Sequence, residues 1–275
     1  MEQESPARWY AELAPPPGLA QSVAAFWEMR VPALTETRIR ILPNACVDIV
    51  IYVSDASQGE GAAAIVAPPY RSYVVGSTLR SFIVRSAGWR HVVGVSLLPA
   101  GAQAILGLPA RLLGDGIVLL ADVIGARATQ LEERVLTGPS DGALQRLCDV
   151  LLELQAGREP NRLVGRAVRS VRGAQGMKRM DAVASETNVS TRTLERLFLE
   201  HLGISAKIFS RLVRFDCAAR DVVSRGTSSW SQFALAHGYG DQAHFINEFK
   251  EFAGVTPTQF EAEATGLSPT PGASD

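Results

Sequence analysis

Apolar positions change period along the chain. Between residues 35 and 98 they come in short runs, and beyond Pro99 they recur every third or fourth residue. Thr37-Arg38-Ile39-Arg40-Ile41 alternates polar and apolar, which predicts a half-buried strand. Cys46 to Val53 is apolar and β-branched almost throughout, the pattern of a strand buried on both faces. Ile65-Val66, Tyr73-Val74-Val75, Ser81 to Val84 and His91 to Val95 are further short runs, separated by Gly, Pro and Ser. Short strands with turn signals between them predict a sandwich or a small barrel. In the helical part, Leu144, Leu147, Leu151 and Leu154 form one stripe on a helix that Ser140 is placed to cap. That stripe serves either the chain's own core or a dimer seam, and the dimer seam is the favoured reading. Gly157-Arg158-Glu159-Pro160 ends the helix and predicts a domain boundary.

The rest of the chain reads as successive helices. Asn161 can cap one whose inward positions are Leu163, Val164, Ala167, Val168 and Val171, with Arg162, Arg166 and Arg169 on the other face. A short helix at Asp181–Thr187 then runs into Asn188-Val189-Ser190. Ser190 reads as the cap of a second helix, Thr191 to Leu202, which Gly203 stops. Helix, tight polar turn, helix is the arrangement that can seat its second helix in a DNA major groove. Arg192, Glu195 and Arg196 share that helix's outward face. Arginine matches guanine O6 and N7 with two parallel donors, so the pair could read bases; equally, the two arginines could simply flank Glu195 as surface ion pairs. The same grammar returns: Ser229 caps Trp230 to His237, Gly238-Tyr239-Gly240 turns, and Asp241 caps Gln242 to Phe252. Between the two units, Ser205 to Ser224 reads as one helix of roughly 30 Å, close to the roughly 34 Å between successive major grooves on one side of a duplex.

Composition and charge sharpen this picture. With 275 residues, 47% of them hydrophobic, the chain is long enough for two domains and too apolar for wholesale disorder. The net charge of −1 conceals an asymmetry: residues 162–225 carry 13 basic and 6 acidic side chains, whereas residues 226–265 carry 1 and 5. The first stretch has the charge of a polyanion-binding surface. Cys46, Cys148 and Cys217 are odd in number and far apart, which argues against a disulfide framework and for a reducing compartment. No apolar run is long enough for a membrane span, and the N-terminus lacks export features, so a cytoplasmic location is expected. The motifs GxSxG, GxGxxG, HExxH and CxxC and the P-loop are absent, so catalysis is not expected.

Two stretches resemble the C-terminal domain of the AraC/XylS family of bacterial transcriptional regulators. The first is Val189-Ser190-Thr191-Arg192-Thr193-Leu194-Glu195-Arg196-Leu197-Phe198 with Gly203-Ile204-Ser205 and Arg214. The second is Ala236-His237-Gly238-Tyr239, His244-Phe245, Phe249-Lys250, Gly254-Val255-Thr256-Pro257 and Phe260. The resemblance implies two helix-turn-helix units on one face of double-stranded promoter or operator DNA. By position it implies base contacts from Arg192, Glu195, Arg196, Gln242, Ala243, His244 and Asn247, and phosphate contacts from Ser190, Thr191, Arg214 and Lys250. The family often has Arg where this chain has Asn247, which agrees with the acidic balance of the second unit and predicts that the first supplies most of the affinity. Leu42 to Val50 and Val93 to Ala102 resemble, less closely, a domain found before this module, which implies a small cupin-like β-barrel followed by helices.

The expected organisation is therefore α+β: a β-rich sensory domain at 1–127, helices available for dimerisation at 128–158, a DNA-binding domain at 160–265 and a disordered tail at 266–275. The expected partners are DNA, a small-molecule effector, a second copy of the chain and RNA polymerase, with no cofactor and no metal. Candidate effector-pocket residues are Trp27, Cys46, Asp48, Tyr52, Tyr73, Phe82, Trp89 and His91, since aromatics around a barrel mouth suit a small molecule. Asp48 lies in an apolar run, so it either pairs with an arginine such as Arg40 or turns outward. The alternative functions are a cysteine-based sensor or enzyme using Cys46, and a protein–protein adaptor.

Overall fold

The computed structural model describes residues 9–30, 37–53, 71–86, 91–225 and 229–266. Ile65-Val66, Trp89 and residues 267–275 of the expected tail lie outside them. The strands are β1 (Trp9–Leu13), β2 (Val23–Arg30), β3 (Thr37–Ile41), β4 (Val47–Tyr52), β5 (Ser72–Val75), β6 (Phe82–Ser86), β7 (His91–Leu97) and β8 (Ile117–Leu119). They pair as an antiparallel sheet in the order β1-β2-β7-β4-β5-β8, with β3 and β6 as a separate ribbon. Among the described residues, β1 and β8 are the edges of that sheet.

Because side chains alternate along a strand, the sheet has two different faces. On one, Phe26, Val47, Ile49, Ile51, Val93, Val95 and Leu97 are buried beneath the helices that follow β7. These are α1 (Pro99–Leu106), α2 (Leu120–Ile124), α3 (Ala126–Leu136) and α4 (Ala143–Gln155). Leu144, Leu147 and Leu151 of α4 lie in this core, so the leucine stripe is used within the chain and not as a dimer seam. Ser140 does not cap α4: it falls in a short turn of 3-10 helix, Ser140–Gly142, and Gly142 precedes the helix without a side-chain cap. The other face carries Tyr10 and Glu12 of β1, Trp27 and Met29 of β2, Gly94 and Ser96 of β7, and Asp48 and Val50 of β4. β4 thus alternates between buried and half-buried positions, unlike the doubly buried strand its composition predicts. Its Asp48, Val50 and Tyr52 look away from the helical layer.

The C-terminal helices cover part of that second face. They are α5 (Arg162–Gly173), α6 (Met180–Glu186), α7 (Thr191–Leu202), α8 (Ala206–Arg225), α9 (Trp230–Ala236), α10 (Gln242–Ala253) and α11 (Pro257–Gly266). The last reaches Gly266, the first residue of the expected disordered tail. Asn161 caps α5 as predicted, its side chain accepting from the backbone N–H groups of Leu163 and Val164. Phe198, Phe209, Phe215, Phe245, Phe249 and Phe260 are fully buried in a core that also takes in Ala45, Leu98 and Ala100 from the N-terminal half. The two halves therefore share apolar packing. No helix of the described residues is long and apolar enough to cross a membrane.

Candidate functional site

The two C-terminal units repeat each other bond for bond. In the first, Asn188 takes a left-handed conformation (φ 57°) and the Val189 N–H donates to the Ala184 carbonyl at 3.0 Å. In the second, Gly238 takes the same conformation (φ 73°) and the Tyr239 N–H donates to the Ala234 carbonyl at 2.9 Å. Asparagine and glycine are the residues that tolerate this region best, so each turn closes the preceding helix without strain. Ser190 then accepts from the Thr193 N–H at 3.1 Å, and Asp241 from the His244 N–H at 2.7 Å, capping α7 and α10. Both helices are 12 residues long and stop at a left-handed glycine, Gly203 and Gly254. Between the units α8 runs unbroken for 20 residues, or roughly 30 Å.

Each second helix presents a polar outer face. Arg192 and Arg196 are exposed, as are Gln242, Ala243, His244, Asn247 and Lys250. Arg192 has no side-chain hydrogen bond or ion pair among the described residues, while Arg196 meets Glu200 at 3.3 Å, a pair that two exposed side chains give up readily. Thr191 is exposed beside the cap. A groove of about 1000 Å³ separates the units, and Lys178, Arg179, Lys207 and His244 are among its walls.

A second concavity, of about 260 Å³, lies between the free face of the sheet and the helices α5 and α8. Trp27, Cys46 and Asp48 line it, as do Tyr10, Glu12, Arg172, Asp216 and Arg220. Its floor spans three adjacent strands. Trp27 on β2 lies opposite Gly94 on β7, and a Cβ at Gly94 would meet the indole at 2.1 Å. The absent side chain lets the indole cross β7 and bond the Asp48 carboxylate on β4. Ser96, the cross-strand partner of Asp48, also donates to it, and so does the Asn44 amide at 3.4 Å. Burial outweighs these three bonds and pushes the Asp48 carboxyl up to about 6. Cys46 is buried as well, and its thiol is pushed up to about 12 by burial. On the helix side, Arg220 reaches Glu12 at 3.0 Å and Asp216 at 3.3 Å, while Arg172 lies 3.8 Å from the Cys46 sulfur. Burial raises the Asp216 carboxyl too, against the opposing charges of Arg220 and Arg172.

Residues 183–263 match the family model described as a helix-turn-helix domain, and residues 11–118 match a domain of unknown function (DUF6597). The C-terminal domain is an AraC-type helix-turn-helix domain. It is the DNA-binding part of a transcription regulator. Among solved structures, this chain is similar to the C-terminal domain of AraT, a response regulator from Geobacillus stearothermophilus, with 29% identity over 37% of this chain and 84% of that one at a TM-score of 0.34. A DNA-binding transcriptional dual regulator from Escherichia coli K-12 shares 25% identity over 38% of this chain and 97% of that one, with a TM-score of 0.33. ToxT from Vibrio cholerae O395 aligns over 95% of this chain and 97% of its own at 10% identity and a TM-score of 0.43. No curated protein matches.

Two residues expected to touch DNA have other work in the AraC-type domain. Glu195 is half-buried and accepts from the Ala206 N–H at 3.1 Å, so it caps α8, whose first amides otherwise lack partners. Arg214 donates to Glu248 at 2.8 Å and lies 4.5 Å above the Tyr239 ring. Glu248 is nearly fully buried and takes Arg211 at 2.7 Å as well, joining α8 to α10. A buried carboxylate needs such partners, and it holds Arg214 against α10. Because Glu248 follows Asn247 directly, the sequence offers it as one more surface charge on the second unit; its burial arises from a contact 34 residues away.

The N-terminal candidates divide in the same way. Tyr52 and Tyr73 pack edge to face with ring centroids 5.8 Å apart, beside the apolar contacts of Met29 and Val92, and do not line the cavity. Phe82 sits opposite Ile41 in the β3–β6 ribbon. His91 lies on the helix-facing side, 2.6 Å from Glu28, which also pairs with Arg30. Burial lowers the His91 pKa, favouring the neutral ring. Asp48 takes neither of its predicted options, since it turns inward and Arg40 goes to Glu263 at 3.2 Å. Tyr10, Glu12, Arg172, Asp216 and Arg220 were not candidates: they come from β1 and from helices assigned to the other domain, and no local pattern joins them to Asp48.

Proposed function

We propose that this regulator reads promoter DNA by inserting α7 and α10 into successive major grooves, with α8 as the spacer and the first unit providing most of the affinity. Arg192 and Arg196 contact bases in the first groove, and Gln242, Ala243, His244 and Asn247 face the second. Ser190, Thr191 and Lys250 contact phosphates, joined by Lys207 and Arg179 from the groove between the units. The N-terminal domain acts as the sensory part and takes a small-molecule effector. The protein works in the cytoplasm, where its DNA is, and without catalysis. The observation that carries this reading is the pair of matching capped turns, each delivering an exposed polar helix face at one end of an unbroken rod. The raised pKa of Cys46 weighs against a cysteine-based sensor, because the thiolate is the reactive form. Footprinting on the DNA flanking the protein's own coding region tests the proposal. Protection of two successive major-groove turns per protomer is expected, with affinity falling steeply as salt rises. An affinity indifferent to salt would favour the adaptor reading instead.

A further inference from the structure

The cavity between the sheet and α8 contains an electrostatic imbalance. Three carboxylates line it, Glu12, Asp48 and Asp216, together with three guanidinium groups, Arg40, Arg172 and Arg220. Arg40 is held by Glu263, which lies outside the lining, and by the Ala253 carbonyl. Arg220 bridges Glu12 and Asp216, and the charge of Arg172 acts on Asp216 and Cys46. Asp48 is left over. Its partners are an amide, a hydroxyl and an indole, all neutral, and no cation pairs with it among the described residues. The wall beside it is the Trp27 and Tyr10 ring pair, stacked with centroids 6.5 Å apart, with Met29, Ile41 and Leu42 completing an apolar surface.

We propose that this cavity is the effector site and that its ligand is a small organic cation: an ammonium group that meets the Asp48 carboxylate, attached to an apolar body that lies against Trp27 and Tyr10. An ammonium supplies the missing counter-charge and can donate to the lone pair that Ser96, Asn44 and Trp27 leave open. Aromatic faces favour the same sign of charge. The cavity volume of about 260 Å³ corresponds to roughly nine water-sized units, so one ring and a short amine arm fill it. This deepens the regulator reading and rests on it for the consequence alone. Asp216, Ala219 and Arg220 belong to α8, the spacer between the reading helices, so a ligand here touches that rod directly.

Calorimetric titration of the full chain at about pH 8, where both the amine and Asp48 are charged, tests the proposal with 2-phenylethylamine, tyramine, the neutral analogue 2-phenylethanol and phenylacetate. At least one amine is expected to bind, about tenfold or more tighter than the alcohol, and phenylacetate is expected not to bind. Asp48→Asn is expected to remove the preference for amine over alcohol, whereas Arg172→Gln, checked for folding by circular dichroism, is expected to retain it. Failure of both amines to bind at millimolar concentration overturns the proposal. So does binding of phenylacetate that is lost in Arg172→Gln, which assigns the cavity to an anion. Gel shifts on the same preparation read DNA binding separately, so absence of a shift refutes the regulator and leaves the amine result standing.

Discussion

Asp48 is a residue whose charge the free protein holds at a loss. Its carboxyl is raised from 3.8 to about 6, so the folded state binds more protons than the unfolded chain across that interval. Stability contributed by this group is therefore highest below about pH 4 and declines as pH rises through about 6. Asp48→Asn should raise stability at neutral pH by on the order of 2 kcal/mol and flatten its dependence between those limits, which urea unfolding at several pH values measures. By the same sign, affinity for a cationic ligand should fall as pH drops through about 6, with Glu12, Asp216, Arg40, Arg172 and Arg220 as the other charges facing the cavity. At the DNA surface, Arg196→Ala should weaken operator binding by roughly 1–3 kcal/mol and Asn247→Ala by clearly less, read by gel shift at fixed salt. Equal losses would mean that the two units share the affinity. Arg214→Ala, in contrast, should destabilise the fold, because Arg214 is spent on Glu248.

Between helices, the ion pairs of Glu248 tie α10 of the second unit to α8. Glu248→Ala leaves Arg211 and Arg214 half-buried without that carboxylate and should cost about 3 kcal/mol in urea unfolding. This scale also separates what the sequence discloses from what it hides. Caps, stops and apolar periods are local, so Asn161, Ser190, Ser229 and Asp241, the end of α7 at Gly203 and the extent of α8 are all legible within a few residues. The fate of an individual charge is not local. Glu195 and Arg214 look like surface residues until the start of α8 and the buried Glu248 claim them. The cavity is hidden for the same reason, since its walls come from β1, β2, β3, β4, β7, α5 and α8, and only the face alternation of the paired strands reveals which side Asp48 takes.

Across the whole molecule, the N-terminal half contacts the C-terminal ends of both α7 and α10. The Ser81 N–H donates to the Phe252 carbonyl at 2.8 Å, and the Ser81 hydroxyl and Arg40 both donate to the Ala253 carbonyl, at 2.6 and 3.0 Å, where α10 ends. At the end of α7, Arg111 lies so near Gly203 that a methyl group there would meet its Cβ at 2.9 Å. An operator with one extra base pair between its half-sites should bind the native chain much more weakly. The double variant Arg40→Ala, Ser81→Ala should lose less on the same insertion, as gel shifts with the two operators would register. In the proposed docking, the separation of α7 and α10 would then be gauged by contacts made far from the duplex. Loosening either mooring would exchange discrimination among operators for tolerance, and a regulator built this way can be retuned to new spacings by mutations remote from every base it reads.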